Sequence, residues 1–232
     1  MSSIVHYPII KYSKEKALTL QSFMDMDYYA VAHYNLPIEL MMENAGYQLA
    51  QVISKTVEKT QSIKIGVGNG NNGGGGLVAA RRLAAWGYLV YIDPFTEITK
   101  ELPKAQLKRA LKFGASLDTI SQPDVWVDAY LGFSQKLPLR ETLEERIIQA
   151  NASNAQKIVL DIPTGYLGNP HTLFFEADTI VTLAAPKKIL YDLPTTTKIY
   201  IVDLGIPATV YNQFQTEILP FDQGGILQLK RY

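Results

Sequence analysis

From residue 63 onward, the sequence alternates between short apolar runs rich in β-branched residues and longer runs with helical spacing. The apolar runs cover residues 63–67, 88–92, 125–129, 158–162, 179–183 and 199–202. They lack polar alternation, which is typical of parallel strands buried on both faces. Helical runs separate the first four of them, over residues 77–86, 101–113 and 141–150. This alternation predicts an α/β fold with a mostly parallel, doubly wound sheet.

The first sixty residues predict two helices that cover this sheet. Residues 18–35 and 38–58 have helical spacing and are separated at Pro37, with Thr19 in position to cap the first helix. Gly46 in the second helix would allow a close approach to a neighbouring element. No linker or internal repeat divides the chain, so we expect one domain over residues 1–232. Its predicted architecture is a Rossmann-like, three-layer α/β/α fold with N-terminal helices.

The composition excludes several classes of function. The 232 residues include 22 Lys and Arg against 22 Asp and Glu, so charge does not favour nucleic acid or an anionic membrane as a partner. The chain has no cysteine, which excludes disulfides, thiolate catalysis and the common structural zinc sites. Because it shows neither a secretory signal nor a membrane helix, we expect a cytoplasmic protein. Its zero formal charge is compatible with a homodimer.

A glycine-rich segment follows the first predicted strand. Residues 66–76 read GVGNGNNGGGG and precede the helix predicted to begin at Leu77. Open α/β sheets bind ligands at the carboxyl ends of their strands, where glycines bring backbone N–H groups close to an anion. The segment also fits the dinucleotide pattern G-x-G-x-x-G, with Asp93 as the ribose-binding acid, so an NAD-dependent dehydrogenase is an alternative. The three glycines after Gly73 would, however, lift this loop away from the usual pyrophosphate position.

Two aspartates end neighbouring predicted strands. Asp128 lies in the run 125–129, and Asp161 lies in the run 158–162. Both carboxylates would face one crevice, where nearby charges can shift their pKa values for acid–base work. We therefore predict Asp128 and Asp161 as catalytic residues, and the sequence leaves open which one transfers a proton. The alternative is that each caps a helix or accepts hydrogen bonds from loop N–H groups.

Six ordered motifs carry a resemblance to a known family. They are LMMENAG at 40–46, the glycine segment at 68–76, VDAYLG at 127–132, DIPTG at 161–165, ADTIVTL at 177–183 with Pro186 and Lys187, and VDLGIP at 202–207. In this order the chain resembles the YjeF N-terminal family over about residues 18–207. Members of that family are NAD(P)H-hydrate epimerases, which interconvert the R and S hydrates of NADH and NADPH.

The resemblance implies roles for the residues that match these motifs. The substrate-binding set would be Asn71, Asn72, Gly73, Gly74, Gly75 and Asp161, together with a loop that closes over the nucleotide, Gly132, Phe133, Ser134, Gln135, Lys136, Leu137 and Pro138. Asn72, Asp128 and Thr164 would hold a potassium ion, and oxygen atoms of these types suit a hard cation. A separate dehydratase would act on the product, since the sequence to Tyr232 contains no second domain.

The chain departs from the family pattern in four places, one of which is a short segment after Gly165 that lacks the family's usual acidic residue. Asp-Gly usually follows the Asn-Asn-Gly-Gly core, whereas Gly75 and Gly76 stand here. Glycines are usual in the next loop where this chain has Ser134 and Leu137, and Thr164 replaces a serine. The missing acid at position 75 motivates an alternative function, a catalytically degenerate domain that binds a nucleotide or mediates dimerisation.

Overall fold

The computed structural model describes residues 7–231. The interpretation that no targeting signal is present falls partly on residues 1–6, which lie outside this range. The strands are β1 (Ile9–Tyr12), β2 (Ser62–Val67), β3 (Leu89–Pro94), β4 (Val125–Ala129), β5 (Gln156–Leu160), β6 (Thr179–Leu183), β7 (Lys198–Val202) and β8 (Ile226–Arg231). The α-helices are α1 (Leu20–Tyr34), α2 (Ile38–Ser54), α3 (Asn71–Ala85), α4 (Glu101–Lys112), α5 (Glu141–Ala152) and α6 (Ala208–Gln213). Among residues 7–231, no helix is both long and apolar enough to cross a membrane.

The strands form one sheet in the order β1-β8-β7-β6-β5-β4-β2-β3. The six strands β2 to β7 are all parallel to one another, which confirms the predicted mostly parallel sheet. β8 pairs antiparallel with β7, and β1 pairs parallel with β8 at the edge. β3 and β4 lie on opposite sides of β2, so the chain reverses its direction across the sheet between β2 and β4. Ligands of such sheets bind at this switch point.

Helices cover both faces of the sheet. On one face, Leu49 of α2 and Leu83 of α3 belong to the same buried cluster as Ile65 of β2. On the other face, Ile147 of α5 packs in a cluster with Val159 of β5. The three-layer α/β/α architecture predicted from the sequence is therefore confirmed.

The predicted elements are present with small shifts of their boundaries. All six predicted strands form, and the two N-terminal helices begin within two residues of their expected positions. Thr19 caps α1 as expected, because its side-chain oxygen accepts a hydrogen bond of 3.0 Å from the backbone N–H of Ser22. α2 ends at Ser54, four residues earlier than predicted. The two edge strands β1 and β8 were not predicted.

The glycine segment was predicted as a loop up to Leu77, and this is wrong. α3 begins at Asn71, so the glycines at 73–76 are helical. A Cβ atom added at Gly76 would lie 2.5 Å from Cβ of Ala129, and one added at Gly46 of α2 would lie 2.5 Å from Cβ of Val78. Glycine is a poor helix former, and this helix forms because it packs directly on β4 and α2. The expected lifting of the loop is therefore also wrong, since Gly73 lies in the first turn of α3.

Candidate active site at the ends of β2, β4 and β5

A cavity of about 250 Å³ lies beyond the carboxyl ends of β2, β4 and β5, at the switch point of the sheet. Helices α1 and α2 also line this cavity, through residues that include Asp27 and Met42. Eight residues predicted from the sequence line this cavity: Asn71, Asn72, Gly75, Gly132, Phe133, Ser134, Gln135 and Asp161. The structure therefore brings together most of the predicted substrate-binding set.

A second cavity of about 370 Å³ adjoins the first. The two share a wall that includes Gly70, Lys100 and Leu131. The predicted residues Lys136 and Pro138 line this second cavity. Three cationic side chains surround it, those of Lys100, Lys136 and Arg140, and no acidic residue lines it among residues 7–231.

Three residues of the predicted substrate-binding set line neither cavity. Gly73 packs against the backbone of Gly68, and a Cβ atom at Gly74 would lie 2.5 Å from Cε of Met42. Leu137 is exposed to solvent. The two glycines therefore allow α3 to pack, and they let its first turn reach the cavity.

The N-terminus of α3 faces the first cavity. Its N-cap residue is Gly70, and the helix starts with a hydrogen bond of 3.0 Å from the N–H of Gly74 to the carbonyl of Gly70. The first N–H groups of a helix have no partner within it, and no side chain caps them here among residues 7–231. Together with the helix dipole, such N–H groups attract an anion.

Asn69 connects the end of β2 to the start of α4. Its Oδ1 accepts hydrogen bonds of 2.9 Å from the N–H groups of both Thr99 and Lys100. The side chain of Lys100 is thereby held where the two cavities meet. Sequence reasoning assigned no role to either residue, because the asparagine is one of several polar residues within the glycine segment.

Asp128 and Thr164 join the turn after β4 to the turn after β5. The hydroxyl of Thr164 donates to Oδ1 of Asp128 at 2.7 Å, and its N–H donates to Oδ2 at 2.8 Å. The N–H of Tyr130 also donates to Oδ1, at 3.1 Å. Burial raises the pKa of Asp128 to about 6, and the hydrogen bonds from Thr164 oppose this rise. Both residues are fully buried, and neither lines the cavity.

Asn72 is connected to the same pair through Leu131. Its Nδ2 donates to the carbonyl of Leu131 at 2.8 Å, while the N–H of Leu131 donates to the hydroxyl of Thr164 at 3.2 Å. The three residues expected to hold a cation, Asn72, Asp128 and Thr164, are therefore brought together around one short segment. Within residues 7–231 there is no cluster of three or more His, Cys, Asp or Glu side chains that could hold a metal ion.

Asp161 forms a buried ion pair at the end of β5. Its backbone has a φ of 73°, a conformation that few residues other than glycine adopt and that is often found at functional sites. Oδ2 accepts a hydrogen bond of 3.0 Å from the N–H of Phe133, and Oδ1 lies 3.1 Å from Nζ of Lys187. This arrangement fixes the loop after β4 to the end of β5.

Lys187 is fully buried behind the cavity. Its Nζ donates to the hydroxyl of Thr182 at 2.9 Å and to the carbonyl of Leu183 at 2.7 Å, and it lies 3.7 Å from the centre of the Phe23 ring. Burial lowers the pKa of Lys187, and its pairing with Asp161 opposes this change only in part. The residue belongs to a motif that carried the resemblance, but the sequence assigned no role to it.

Asp27 is the second acidic residue that lines the cavity among those described, and sequence reasoning missed it. It lies on α1, on the side of the helix that buries Phe23, Met26 and Ala30. Burial raises its pKa to about 6. The negative charge of Asp161 adds to this rise, and the positive charge of Lys187 opposes it. An acidic residue at helical spacing among apolar ones was the available signal.

Asp93 was the ribose-binding acid of the dehydrogenase alternative, and the structure engages it elsewhere. The hydroxyl of Tyr130 donates to Oδ2 of Asp93 at 2.7 Å, and Nε of Arg146 lies 3.2 Å from both carboxylate oxygens. Asp93 lines neither cavity. The position of Asp93, which suggested a dehydrogenase, is therefore explained by its contacts with Tyr130 and Arg146.

A family model described as the YjeF-related protein N-terminus matches residues 38–189. The chain belongs to the YjeF N-terminal family. It is 33% identical over 215 residues to a protein of Rhodopirellula baltica named NAD(P)H-hydrate epimerase, covering 85% of this chain and 87% of that protein. It is 30% identical to a protein of Archaeoglobus fulgidus named bifunctional NAD(P)H-hydrate repair enzyme Nnr, covering 78% of this chain and 40% of the relative.

A solved structure supports the same fold. The crystal structure of the yeast protein ynu0 superposes with a TM-score of 0.82 at 23% identity, and the match covers 92% of this chain and all of the yeast chain. At this identity the likeness concerns the fold alone. The resemblance to the YjeF N-terminal family that was stated from six motifs is thus confirmed.

The departure from the YjeF N-terminal pattern at Gly75 lies in the cavity wall. A Cβ atom added there would lie 3.0 Å from Cδ2 of Leu160 and 3.9 Å from Cβ of Ala45. A side chain at this position would therefore need only a small movement of one leucine. At Gly76 it would meet Ala129 and Val67 of the sheet, where there is no room.

Proposed function

We propose that this protein is an NAD(P)H-hydrate epimerase that interconverts the R and S hydrates of NADH and NADPH. The observation that carries the proposal is the cavity itself, where the start of α3, the loop after β4 and Asp161 meet at the switch point. The relatives that carry this activity in their names match most of this chain at 30% identity or more.

The two adjoining cavities suit the two parts of a dinucleotide. The uncapped N-terminus of α3 and the side chain of Lys100 would bind the phosphates, because both attract negative charge. Lys136 and Arg140 would add positive charge on the side of the second cavity. The hydrated nicotinamide ring would then lie in the first cavity, close to Asp161.

Epimerisation inverts the carbon atom that bears the added hydroxyl group. Inversion requires proton transfer to and from an oxygen atom on that carbon, which a carboxyl group of suitable pKa can perform. Of the two predicted catalytic residues, Asp161 lines the cavity, so it would contact the substrate. Asp128 lies beneath the cavity and would act by holding Thr164 and the turn after β5.

The residues around Leu131 fit a potassium ion by their chemistry. Asn72, Asp128 and Thr164 offer an amide, a carboxylate and a hydroxyl, and hard cations bind oxygen ligands of this kind. A bound potassium ion would supply positive charge beneath the substrate and would order the two turns. The melting temperature measured in potassium chloride and in lithium chloride of equal ionic strength tests this, and Thr164→Val should abolish any difference.

A separate dehydratase would act on the epimerised product. In support, the relative from Archaeoglobus fulgidus is named bifunctional NAD(P)H-hydrate repair enzyme Nnr, and this chain matches 40% of its length. A nucleotide-binding or dimerisation module without activity is the second candidate, and the missing acid at Gly75 is the observation that favours it. Formation of a homodimer stays a prediction.

The epimerase is tested with one purified epimer of the NADPH hydrate. The R-to-S ratio is followed by chromatography with the protein, with buffer alone, and with the Lys100→Met variant. We expect the wild type to equilibrate the two epimers much faster than buffer, and we expect Lys100→Met to raise KM more than it lowers kcat. Equal rates with protein and with buffer would contradict the proposal and would favour the binding module.

A further inference from the structure

We propose that Asp27 is the catalytic acid and base of this site, donating a proton to the substrate hydroxyl group and taking it back in each epimerisation. The inference rests on the proposed epimerase function and assigns its proton transfer to a residue outside the six sequence motifs. It follows from three observations, which concern the position of Asp27, its lack of hydrogen bonds and the charges around it.

The first observation is the position of Asp27 in the cavity wall. Asp27 and Asp161 are the acidic residues that line the cavity among residues 7–231. They come from different elements, Asp27 from α1 and Asp161 from the end of β5. A hydrated ring bound in this cavity would lie near both carboxyl groups.

The second observation is that Asp161 is engaged, whereas Asp27 is not. Asp161 accepts a hydrogen bond from the N–H of Phe133 and forms a buried ion pair with Lys187. A carboxylate held in this way is suited to orient a substrate, because donating a proton would require the ion pair to be disrupted. Within the described residues, no hydrogen bond or ion pair is made by the carboxyl group of Asp27.

The third observation is the set of charges that face Asp27 from each surrounding element. The end of β5 contributes the negative charge of Asp161, and the segment after β6 contributes the positive charge of Lys187. The cavity also receives Lys100 from the start of α4, Tyr130 from the end of β4, and Tyr28 from α1 itself. The part of the wall that α2 contributes is apolar, formed by Ile38, Met41, Met42 and Ala45.

This environment disfavours the charged form of Asp27. Burial and the nearby negative charge raise its pKa to about 6, close to the range in which a general acid and base works best at neutral pH. A partly buried carboxyl group without a hydrogen-bond partner costs stability, and such costs are concentrated at functional sites. A purely structural role for Asp27 offers no compensation for this cost.

The chemical step is a balanced proton transfer. Hydration of an enamine places the hydroxyl group on the carbon next to the ring nitrogen, because the nitrogen lone pair stabilises positive charge there. Asp27 protonates this hydroxyl, the C–O bond breaks with its electron pair on oxygen, and water leaves while the lone pair forms a C=N bond. Water then adds to the other face of the carbon, and the proton that it releases returns to Asp27. Nothing is oxidised, reduced or consumed.

The test uses the full chain and three variants of α1. Asp27→Asn removes the proton and keeps the size, and Asp27→Glu keeps the carboxyl group. The matched control is Asp25→Asn, because Asp25 is exposed on the same helix and accepts a hydrogen bond from Gln21. Epimerisation of the purified hydrate is measured from pH 5 to pH 8.5, with the buffer rate subtracted at each pH.

We expect Asp27→Asn to lower kcat by about 10²–10⁴-fold with a much smaller change in KM, since general acid–base catalysis contributes about this much. Asp25→Asn should stay within about twofold of the wild type, and Asp27→Glu should recover part of the rate. The wild-type kcat should fall as the pH rises through about 6, because the protonated carboxyl group is required. In Asp27→Asn the residual rate should not show this fall.

Two results would overturn the inference and leave the epimerase function intact. One is an active wild type with an equally active Asp27→Asn. The other is a slower Asp27→Asn that keeps the same fall above pH 6, which would assign the titrating group to another residue. A wild type no faster than buffer would instead contradict the epimerase itself, and the role of Asp27 with it.

Discussion

The two carboxylates at the strand ends have hydrogen-bond or ion-pair partners, whereas the carboxylate on α1 has none among the described residues. Asp128 accepts three hydrogen bonds, two of them from Thr164, and Asp161 is paired with the buried Lys187. Asp27 faces the same region without a hydrogen bond from the described residues. Hydrogen-bonded or ion-paired carboxylates hold turns in place, whereas a carboxylate without such partners keeps its oxygen atoms free for a ligand. The four predictions below test this difference.

The largest effect is expected at the buried ion pair. Lys187→Met leaves Asp161 buried without its cation, and removal of one partner of a buried pair costs about 3–5 kcal/mol. Urea denaturation measures the loss, with Lys188→Met as the control at the neighbouring position. The double variant Asp161→Asn/Lys187→Met should recover part of the stability. A single variant as stable as the control would show that the pair contributes little.

A smaller loss is expected at the connection between the two turns. Thr164→Val removes the hydroxyl that donates to Asp128 and accepts from the N–H of Leu131, so we expect a loss of about 2 kcal/mol. Thr164→Ser keeps the hydroxyl and should lose far less. Similar stabilities of the two variants in urea would contradict the role given to this hydrogen bond.

At Asp27 we expect the substitution to increase the free energy of unfolding, unlike the two substitutions above. Burial raises the pKa of Asp27 from 3.8 to about 6 in the folded protein, so between these pH values the folded state binds more protons than the unfolded state. Stability therefore falls as the pH rises through this window, and the wild type carries the full cost above pH 6. Asp27→Asn should be more stable than the wild type by about 2 kcal/mol at pH 8.

This gain in stability should shrink as the pH approaches 4, where the wild-type carboxyl group is protonated. Thermal unfolding at several pH values measures the difference, and Asp25→Asn is again the control. A loss of stability in Asp27→Asn at pH 8 would mean that the carboxylate makes a stabilising contact, contrary to the comparison.

The smallest effect is expected at position 75. Since Asp27 and Asp161 already supply carboxyl groups to the cavity, Gly75→Asp should change the epimerisation rate by less than about tenfold. Gly75→Asn separates the effect of size from that of charge. An increase of about 10²-fold or more with Asp, but not with Asn, would show that the chain lacks an acid that the reaction needs.

The sequence predicted the central fold because a buried parallel strand leaves an apolar run of β-branched residues. The edge strands β1 and β8 escaped prediction, since short strands with polar residues such as Lys11 and Gln228 resemble loops. The start of α3 was misplaced because glycine propensity argues against a helix, and only packing on Ala129 and α2 reverses this.

The sequence allowed Asp128 and Asp161 to be predicted as site residues, because its apolar runs locate the end of each strand. Asp27 was missed, although its spacing among the apolar residues of α1 was a signal, because its environment depends on which face of α1 meets the end of β5 and the segment of Lys187. That arrangement arises from contacts between residues more than a hundred positions apart. The sequence alone therefore predicted one wall of the cavity and missed the other.

The wide separation of these two walls along the chain has a consequence for biosynthesis. Residues 20–34 leave the ribosome long before Lys187, whose nitrogen lies against the ring of Phe23 in the finished protein. Until β5 and β6 have been made, the apolar side of α1 has no completed surface on which to pack. During translation the apolar side of this helix therefore waits for the later strands and the segment of Lys187, and Asp27 reaches its place in the cavity wall only late in synthesis.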